Sequence, residues 1–369
     1  MRVVHLIDSG GFYGAEVMLL NLCVEQKKQG LNVEVISIGT PNQTIKSIEQ
    51  KLEEAKIPFI PWRMRALPDL RESFKILKHC KDTNSDIIHS HGYKGNILMG
   101  LIPKRLRRIP VVSTVHGYTK QNKFGKMALN QWLDKNCLHR LDAVVLVSPS
   151  MKHQIPAKRL QHNLHIVPNG IPELNESTDL TSYQSLFSTN NFKIGALGRL
   201  SYEKNFSLLI HSMPEILKSI PNAKLVIYGE GGERHYLEEL IQSLKLTDNV
   251  LLPGYLNNTQ SFFSEIDVFV NSSITEGMPI SLLEAMRQGC HIVATDIPAS
   301  RFLLNELNSI DQLCDLTSDS LSKSIIQLFS SNDAQKEKIS AAYKNNFQEK
   351  YTVALMAKNY QHIYNVTSA

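Results

Sequence analysis

Between Asp267 and Asp296 the chain reads DVFVNSSITEGMPISLLEAMRQGCHIVATD, and few folds accept such a run. DVFVNS is short and β-rich, Gly277-Met278-Pro279 makes a turn, and ISLLEAMRQ has helical composition. Gly289 stands where a helix C-cap belongs, and HIVAT returns as an apolar strand. Pro279 falls near the first helical turn, where its missing N–H costs little. A strand–loop–helix–strand unit belongs in a parallel sheet, whose ligands sit at the carboxyl ends of the strands, facing helix N-termini. The run sets Glu276 at that edge and Glu284 about two turns into the helix. Glu230 and Glu238 repeat the same spacing, so the setting marks the pair and the spacing does not.

A chain of 369 residues exceeds one ordinary core and fits two domains. No stretch approaches the roughly eighteen apolar residues of a membrane span. Met1-Arg2 runs straight into VVHLID, so no signal peptide is expected. The five cysteines are scattered and lack CxxC spacing, which fits a reduced, cytoplasmic protein. Charge is uneven: residues 1–170 hold 25 Lys+Arg and 13 Asp+Glu, the remainder 15 and 22. Basic clusters stand at Lys104-Arg105-Leu106-Arg107-Arg108 and at Lys120, Lys123 and Lys126. Such a front half either solubilises the surface or attracts an anionic membrane or a phosphate-bearing acceptor. Without a recognition module or interleaved aromatics, the pattern points away from nucleic acid.

The first strand, Val3–Ile7, ends in Asp8-Ser9-Gly10-Gly11-Phe12-Tyr13-Gly14-Ala15-Glu16 and feeds an amphipathic helix closed by Gly30. A glycine-rich turn of this kind lets a ligand approach backbone N–H groups. It is not GxGxxG, and no acid is placed for a ribose about twenty residues on, so a dinucleotide dehydrogenase is disfavoured. Further β/α units follow: NVEVISI, a helix near Ile45–Ala55, a helix near Arg71–Thr83, DIIHS, a helix after Tyr93, and PVVSTV. Two strand ends carry histidine, at His89-Ser90-His91 and at His116, on the same edge as the glycine loop, and make pocket candidates. His89 and His91 lie too close along one strand for a metal site without a third, carboxylate ligand, and none is evident. His116 could orient a hydroxyl or act as a weak acid or base.

A helix near Lys126–Arg140, the strand Ala143–Val147 and HIVPNGI complete this series, and the polar stretch 172–191 reads as a linker. The second series opens with KIGALGRL. Arg199 and Lys204 leave that strand's edge at a helix N-terminus, two cations beside free N–H groups, which suits a diphosphate. The plainer reading is a surface ion pair with Glu203. KLVIYG runs into Glu230-Gly231-Gly232-Glu233, and Pro253-Gly254-Tyr255 offer walls for a nucleobase. After Thr317 the pattern is helical, roughly over 318–329, 333–350 and 351–364.

Together these residues resemble the retaining glycosyltransferases of family 4. Their fold is α/β GT-B: two facing Rossmann-like doubly wound parallel-sheet domains, with a C-terminal helix crossing back to the N-terminal domain. The resemblance is carried by Gly10-Gly11 with Gly14-Ala15-Glu16, by Val115-His116-Gly117, and by Val167-Pro168-Asn169-Gly170. Gly198-Arg199-Leu200 with Glu203-Lys204-Asn205, and Glu276-Gly277-Met278-Pro279 with Glu284-Ala285, complete it in family order. It implies an acceptor-side domain over 1–170, with 351–369 packing back on it, and a nucleotide-sugar domain over 171–350. It implies that Arg199 and Lys204 neutralise the donor diphosphate and that Glu284 holds the ribose hydroxyls. Glu276 would hydrogen-bond the transferred sugar, with Gly277, Met278 and Pro279 supplying backbone contacts. Gly11 and Gly14 would face the phosphates, Glu16 the acceptor side, and His116 the sugar or leaving group. Phe12 and Tyr13 between the glycines depart from the family's loop and set aromatics near a sugar or lipid acceptor.

Breaking a sugar–phosphate bond leaves positive character on the sugar and extra negative charge on the diphosphate, for which Arg199, Lys204 and helix N–H groups are preorganised. Enzymes of this kind usually work without a metal, and the chain has no DxD motif, so neither a metal nor another cofactor is expected. Retention is expected by front-face attack, with Glu276 a binder and not a nucleophile. The expected reaction moves a hexose or N-acetylhexosamine from a nucleotide-diphosphate sugar to a glycan or lipid-linked acceptor in cell-surface polysaccharide or lipopolysaccharide synthesis. A UDP-sugar is preferred, with GDP-mannose next. The expected place is the cytoplasm, peripheral on the inner face of the membrane through the basic N-terminal domain. Two other readings are a GT-B nucleotide-sugar epimerase, which would convert donor without acceptor, and a non-catalytic protein binding nucleotide sugar or glycan.

Overall fold

The computed structural model describes residues 1–65, 69–117, 126–156, 160, 163–174, 185–256, 258–304 and 313–368. Lys120 and Lys123 of the second basic cluster, and residues 175–184 of the linker, lie outside the described residues. The chain divides into two units, Met1–Pro172 with Val353–Ala369, and Glu173–Thr352.

The first unit runs β1 (Arg2–Asp8), α1 (Gly14–Lys28), β2 (Asn32–Gly39), α2 (Ser47–Glu54), β3 (Phe59–Arg63) and α3 (Leu70–Asp82). It continues with β4 (Ile87–His91), α4 (Tyr93–Gly100), α5 (Lys104–Arg107), β5 (Val111–Val115), α6 (Lys126–Leu138), β6 (Ala143–Leu146) and β7 (Leu164–Ile166). Its parallel sheet has the order β3-β2-β1-β4-β5-β6-β7. Strands such as AVVL in β6 are buried along their whole length, as expected where helices cover both faces. The second unit runs β8 (Phe192–Leu197), α7 (Phe206–Ser219), β9 (Ala223–Tyr228), α8 (Arg234–Ser243), β10 (Val250–Gly254) and α9 (Thr259–Glu265). Then come β11 (Val268–Asn271), α10 (Ile280–Gln288), β12 (His291–Thr295), α11 (Pro298–Leu304), β13 (Leu313–Cys314), α12 (Ser318–Ser330) and α13 (Asp333–Lys350). Its sheet, also parallel, has the order β10-β9-β8-β11-β12-β13. Both are Rossmann-like sheets, and strand order reverses between β1 and β4 in one and between β8 and β11 in the other. There the loops diverge and leave a crevice at the carboxyl ends of the strands.

The last helix, α14 (Val353–Ser368), returns to the first unit. Val353, Met356, Ala357, Tyr360, Ile363 and Tyr364 join the core formed by β1, β2 and α1. No described helix is long and apolar enough to cross a membrane.

Local differences from the sequence reading have physical reasons. Gly277 to Pro279 form the turn before α10, with extended Pro279 as its N-cap, so Glu284 is the fifth helical residue, one turn in and not two. Gly289 ends the helix in the left-handed region at φ 73°, as its position predicts. The basic cluster at Lys104–Arg108 contains the short helix α5, and its Arg107 is buried. That guanidinium bonds Met99 O at 3.0 Å, Arg140 O at 3.1 Å and Asp142 at 2.7 Å, so it holds the fold together instead of charging the surface.

Candidate active site

Loops leaving the carboxyl edge of the second sheet are tied to one another by backbone hydrogen bonds. Leu200 N donates to Glu230 O at 3.0 Å and Glu233 N to Leu200 O at 3.0 Å, joining the loops after β8 and β9. Gly229 N donates to Gly254 O at 2.8 Å, which adds the end of β10. Ile274 N donates to Glu203 O at 2.8 Å and Ser272 Oγ to Lys204 O at 2.9 Å, which adds the loop after β11. Gly229, at φ 143°, approaches so closely that a Cβ there would stand 1.8 Å from Gly198 O. Only glycine fits.

Within this frame Lys204 Nζ meets Glu276 Oε1 at 2.5 Å, and Ser273 Oγ donates to the same oxygen at 2.8 Å. The lysine folds back over Gly198, where an added Cβ would lie 3.0 Å from Lys204 Cε. Arg199 shares the loop, and its guanidinium stands 4.0 Å from Glu203, so the plainer ion pair is present in a long form. Lys204 and Glu276 thus flank the reversal between β8 and β11, where a ligand of such a sheet sits. Gly277, Met278 and Pro279 lead from this pair into α10, which carries no side-chain cap among the described residues. The N–H groups of its first turn face the same edge.

One turn down α10, Glu284 accepts from Thr259 Oγ1 at 2.6 Å. Burial pushes its carboxyl above the usual carboxylate range, opposed by that hydrogen bond and by Arg287. Gly254 ends β10 in the left-handed region, next to Glu230 and Arg234, which meet at 2.7 Å. Tyr255, exposed beyond it, has a ring face for a base. A concavity of about 540 Å³ lies at the opposite edge of this sheet, lined by Phe192, Asp267, His291 and Lys336 among others, and holds none of the sequence-predicted residues.

At the carboxyl edge of the first sheet, Asp8 holds Lys94 at 2.7 Å and Lys46 at 3.3 Å. The sequence reading had passed over this cluster, since its members come from the end of β1, the N-cap of α2 and the start of α4. The Tyr13 ring fills the space beside Gly11, where a Cβ would stand 2.3 Å from Tyr13 Cε2. Gly14 opens α1, and buried Glu16 turns back to accept from Tyr13 N at 3.0 Å. Glu16 therefore caps the helix, a pattern its place at the third helical position could have signalled.

Beneath this edge lies a histidine cluster. β1 pairs with β4 so that His5 stands beside His89 and Ile7 beside His91. His116, just past β5, stacks on His91 with ring centroids 5.8 Å apart. His5 Nε2 faces Gln26 Oε1 at 2.9 Å, an atom that only accepts, so the proton is on Nε2. His5 Nδ1 then accepts from His91 Nε2 at 3.0 Å, and His91 Nδ1 is left as a buried lone pair without a partner among the described residues. His89 links Tyr364 OH at 2.6 Å to Thr114 Oγ1 at 2.8 Å, and Thr114 meets Tyr360 OH at 2.8 Å. Burial holds all four imidazoles below the ordinary histidine range, His5 and His116 at about 4. They are neutral at pH 7. The third neighbour that His89 and His91 lacked in the sequence is His5, and one nitrogen from each of the three lies within 4.8 Å of the others. Of their six ring nitrogens all but His91 Nδ1 are already hydrogen-bonded and no acid joins them among the described residues, which makes the cluster a polar network seating α14. His89 accordingly sits fully buried under the edge, whereas His91 and His116 stand at it.

Comparison with known proteins agrees with this geometry. The family described as Glycosyltransferase Family 4 matches residues 12–173, and the one described as Glycosyl transferases group 1 matches residues 178–345. The chain is 24% identical over 313 residues to alpha-monoglucosyldiacylglycerol synthase of Streptococcus pneumoniae, covering 79% of this chain and 70% of that protein. It is 26% identical over 309 residues to the UDP-Gal:alpha-D-GlcNAc-diphosphoundecaprenol alpha-1,3-galactosyltransferase of Escherichia coli, covering 76% and 78%. The O-antigen biosynthesis glycosyltransferase WclY of Escherichia coli matches at 24% identity over 380 residues, 99% and 98% of the two chains. Among solved structures, Anabaena Alr3699/HepE in complex with UDP and glucose has the same fold, with a TM-score of 0.81 at 20% identity over 100% of both chains. With one family matching each unit and both sheets in Rossmann-like order, the chain belongs to the family 4-type glycosyltransferases of GT-B fold.

Proposed function

We propose that this glycosyltransferase moves a hexose or N-acetylhexosamine from a UDP-sugar to a lipid-linked glycan acceptor of cell-surface polysaccharide synthesis, with retention and without a metal. The observation that carries the reading is the Lys204–Glu276–Ser273 cluster beside Arg199 at the strand-order reversal of the second sheet. There Arg199, Lys204 and the first turn of α10 take the charge that grows on the departing diphosphate. Glu276 holds a hydroxyl of the transferred sugar, Glu284 the ribose, and Tyr255 stacks on the base. The acceptor oxygen bonds C1 on the face the diphosphate leaves, and its proton passes to a leaving phosphate oxygen. His116, kept neutral by burial, orients a hydroxyl and does not deliver a proton.

Support for donor and acceptor comes from the relatives: HepE is described with UDP, and the galactosyltransferase acts on a diphosphoundecaprenol-linked sugar. The test incubates the protein with a panel of nucleotide sugars, with and without lipid extract and with and without EDTA. Nucleoside diphosphate release that needs lipid, survives EDTA and gives a product of unchanged anomeric configuration is expected. Conversion of donor without acceptor would favour the epimerase, and inversion would remove the front-face mechanism.

A further inference from the structure

We propose that the groove at the amino edge of the second sheet binds a short, uncharged oligosaccharide, apart from the candidate active site. The inference goes beyond the transferase reading and rests on the lining of the groove alone. Two concavities, of about 540 Å³ and about 520 Å³, share His291, Asp333 and Lys336. The second runs along α13 from Asp333 to Lys344, roughly 17 Å of helix. Joined, they make a trough of the size of a ligand site and longer than one sugar ring. Gln288 and Gly289, where α10 ends, line it, whereas the first turn of α10 faces the carboxyl edge. The two sites thus stand at opposite ends of one helix, roughly 14 Å long.

Gln288 Oε1 and His291 Nδ1 are buried in the wall of the groove without a partner among the described residues. An apolar ligand would leave both unmet. The amide oxygen only accepts, so it calls for a donor. Burial lowers the pKa of His291 and keeps its ring neutral, so Nδ1 donates or accepts according to tautomer. A ligand hydroxyl answers both groups. Anions are disfavoured, because α9, α10 and α12 all end at this edge with the negative ends of their dipoles. Asp267 and Asp333 add to that field, and the N-terminus of α13 is already capped by Asn332, which accepts from Gln335 N at 2.9 Å. Lys336, common to both concavities, stands against a polycation. Phe329 supplies an apolar platform: it is 43% exposed, and Phe192 packs on it at 5.0 Å and 77°, which fixes its plane. A pyranose presents to such a ring one face of C–H groups inside a rim of hydroxyls. Lys336 Nζ donates to Phe329 O at 3.3 Å, setting a donor beside the platform, and Asp267, anchored by Lys193 N at 2.7 Å, is a fixed acceptor.

The experiment titrates the purified full chain, without donor or acceptor, with cellotetraose, maltotetraose, chitotetraose and mannotetraose, and follows binding by saturation-transfer NMR. Saturable binding of at least one of them near about 1 mM is expected. Phe329→Ala should weaken it about tenfold, and Gln288→Ala with Lys336→Ala should do likewise. Glu276→Gln, at the other edge of the sheet, should leave it unchanged. Unfolding midpoints verify that each variant folds, and the two groove sets test the platform and the polar wall independently. Spermidine and inorganic phosphate, as cationic and anionic probes, should not displace the sugar. No saturable binding of any tetrasaccharide up to about 10 mM, binding retained by both groove sets, or equal loss from Glu276→Gln would overturn the proposal. Displacement by either ionic probe would overturn the assigned ligand class. Binding is read without turnover, so its failure and the failure of the transferase reading are separate results.

Discussion

Replacing Glu276 by Gln keeps the side chain's shape and removes its charge. In the wild type one oxygen, Oε1, takes both Lys204 at 2.5 Å and Ser273 at 2.8 Å, which leaves Oε2 for a sugar hydroxyl. A hydrogen bond to a charged group is worth about 1.5–3 kcal/mol, so loss of that one contact should lower kcat/KM about 10- to 150-fold. A covalent nucleophile at this position would demand a loss of roughly 10⁴-fold or more. Affinity for the nucleoside diphosphate should move the other way. Lys204 loses its countercharge, and the attraction of about 4 kcal/mol between unit charges 4 Å apart near a surface is reduced by screening. A gain of about three- to tenfold in diphosphate affinity is expected from what remains. Titration calorimetry with UDP and steady-state kinetics read the two quantities separately. Diphosphate binding that weakens in step with turnover would refute the division of labour between Lys204 and Glu276.

Tyr364→Phe removes the hydroxyl that meets His89 at 2.6 Å and Gln26 at 3.1 Å, leaving two buried groups short of a partner. Stability should fall by about 2–4 kcal/mol in urea unfolding with an unchanged m value, and a loss within error would show that the network does not seat α14. The buried histidines bind fewer protons folded than unfolded once pH drops below the unfolded pKa of about 6.5. Stability should therefore be full above that pH and decline toward pH 4, by up to about 1.4 kcal/mol per pH unit for each histidine. A flat profile across this window, measured by denaturant midpoints, would contradict their neutral burial. Gly229→Ala must accommodate a Cβ 1.8 Å from Gly198 O, so it should cost about 2 kcal/mol or more and weaken nucleotide binding. Gly232→Ala, with nothing within 4 Å of its Cβ, should be near neutral in both assays.

What could be read from the sequence was local. The 267–296 run declared a strand, a turn, a helix and a strand because parallel strands are continuous apolar runs and Gly289 punctuates the helix. Glycines at strand ends likewise marked the edge where ligands gather. Pairings between distant loops were not legible. Lys204 and Glu276 are 72 positions apart, and nothing in either motif says that their side chains meet. His5 looks like an interruption of VVHLID until the β1–β4 register sets it beside His89. Arg107 read as one of several surface charges because Asp142, 35 residues on, and two carbonyls had not yet been brought to it. Glu16 illustrates a signal that was present and went unread: an acid at the third helical position, which in the structure caps α1.

The return of α14 has a consequence for biosynthesis. The 180 residues Glu173–Thr352 are translated between the body of the first unit and the helix that completes it. At about 5–20 residues per second that gap lasts roughly 10–40 s. Until it ends, Tyr360 and Tyr364 are missing and the sheet surface around His89, Thr114 and Gln26 has no cover. On the ribosome the later-made unit can finish folding first, and the earlier one waits for its last helix to emerge.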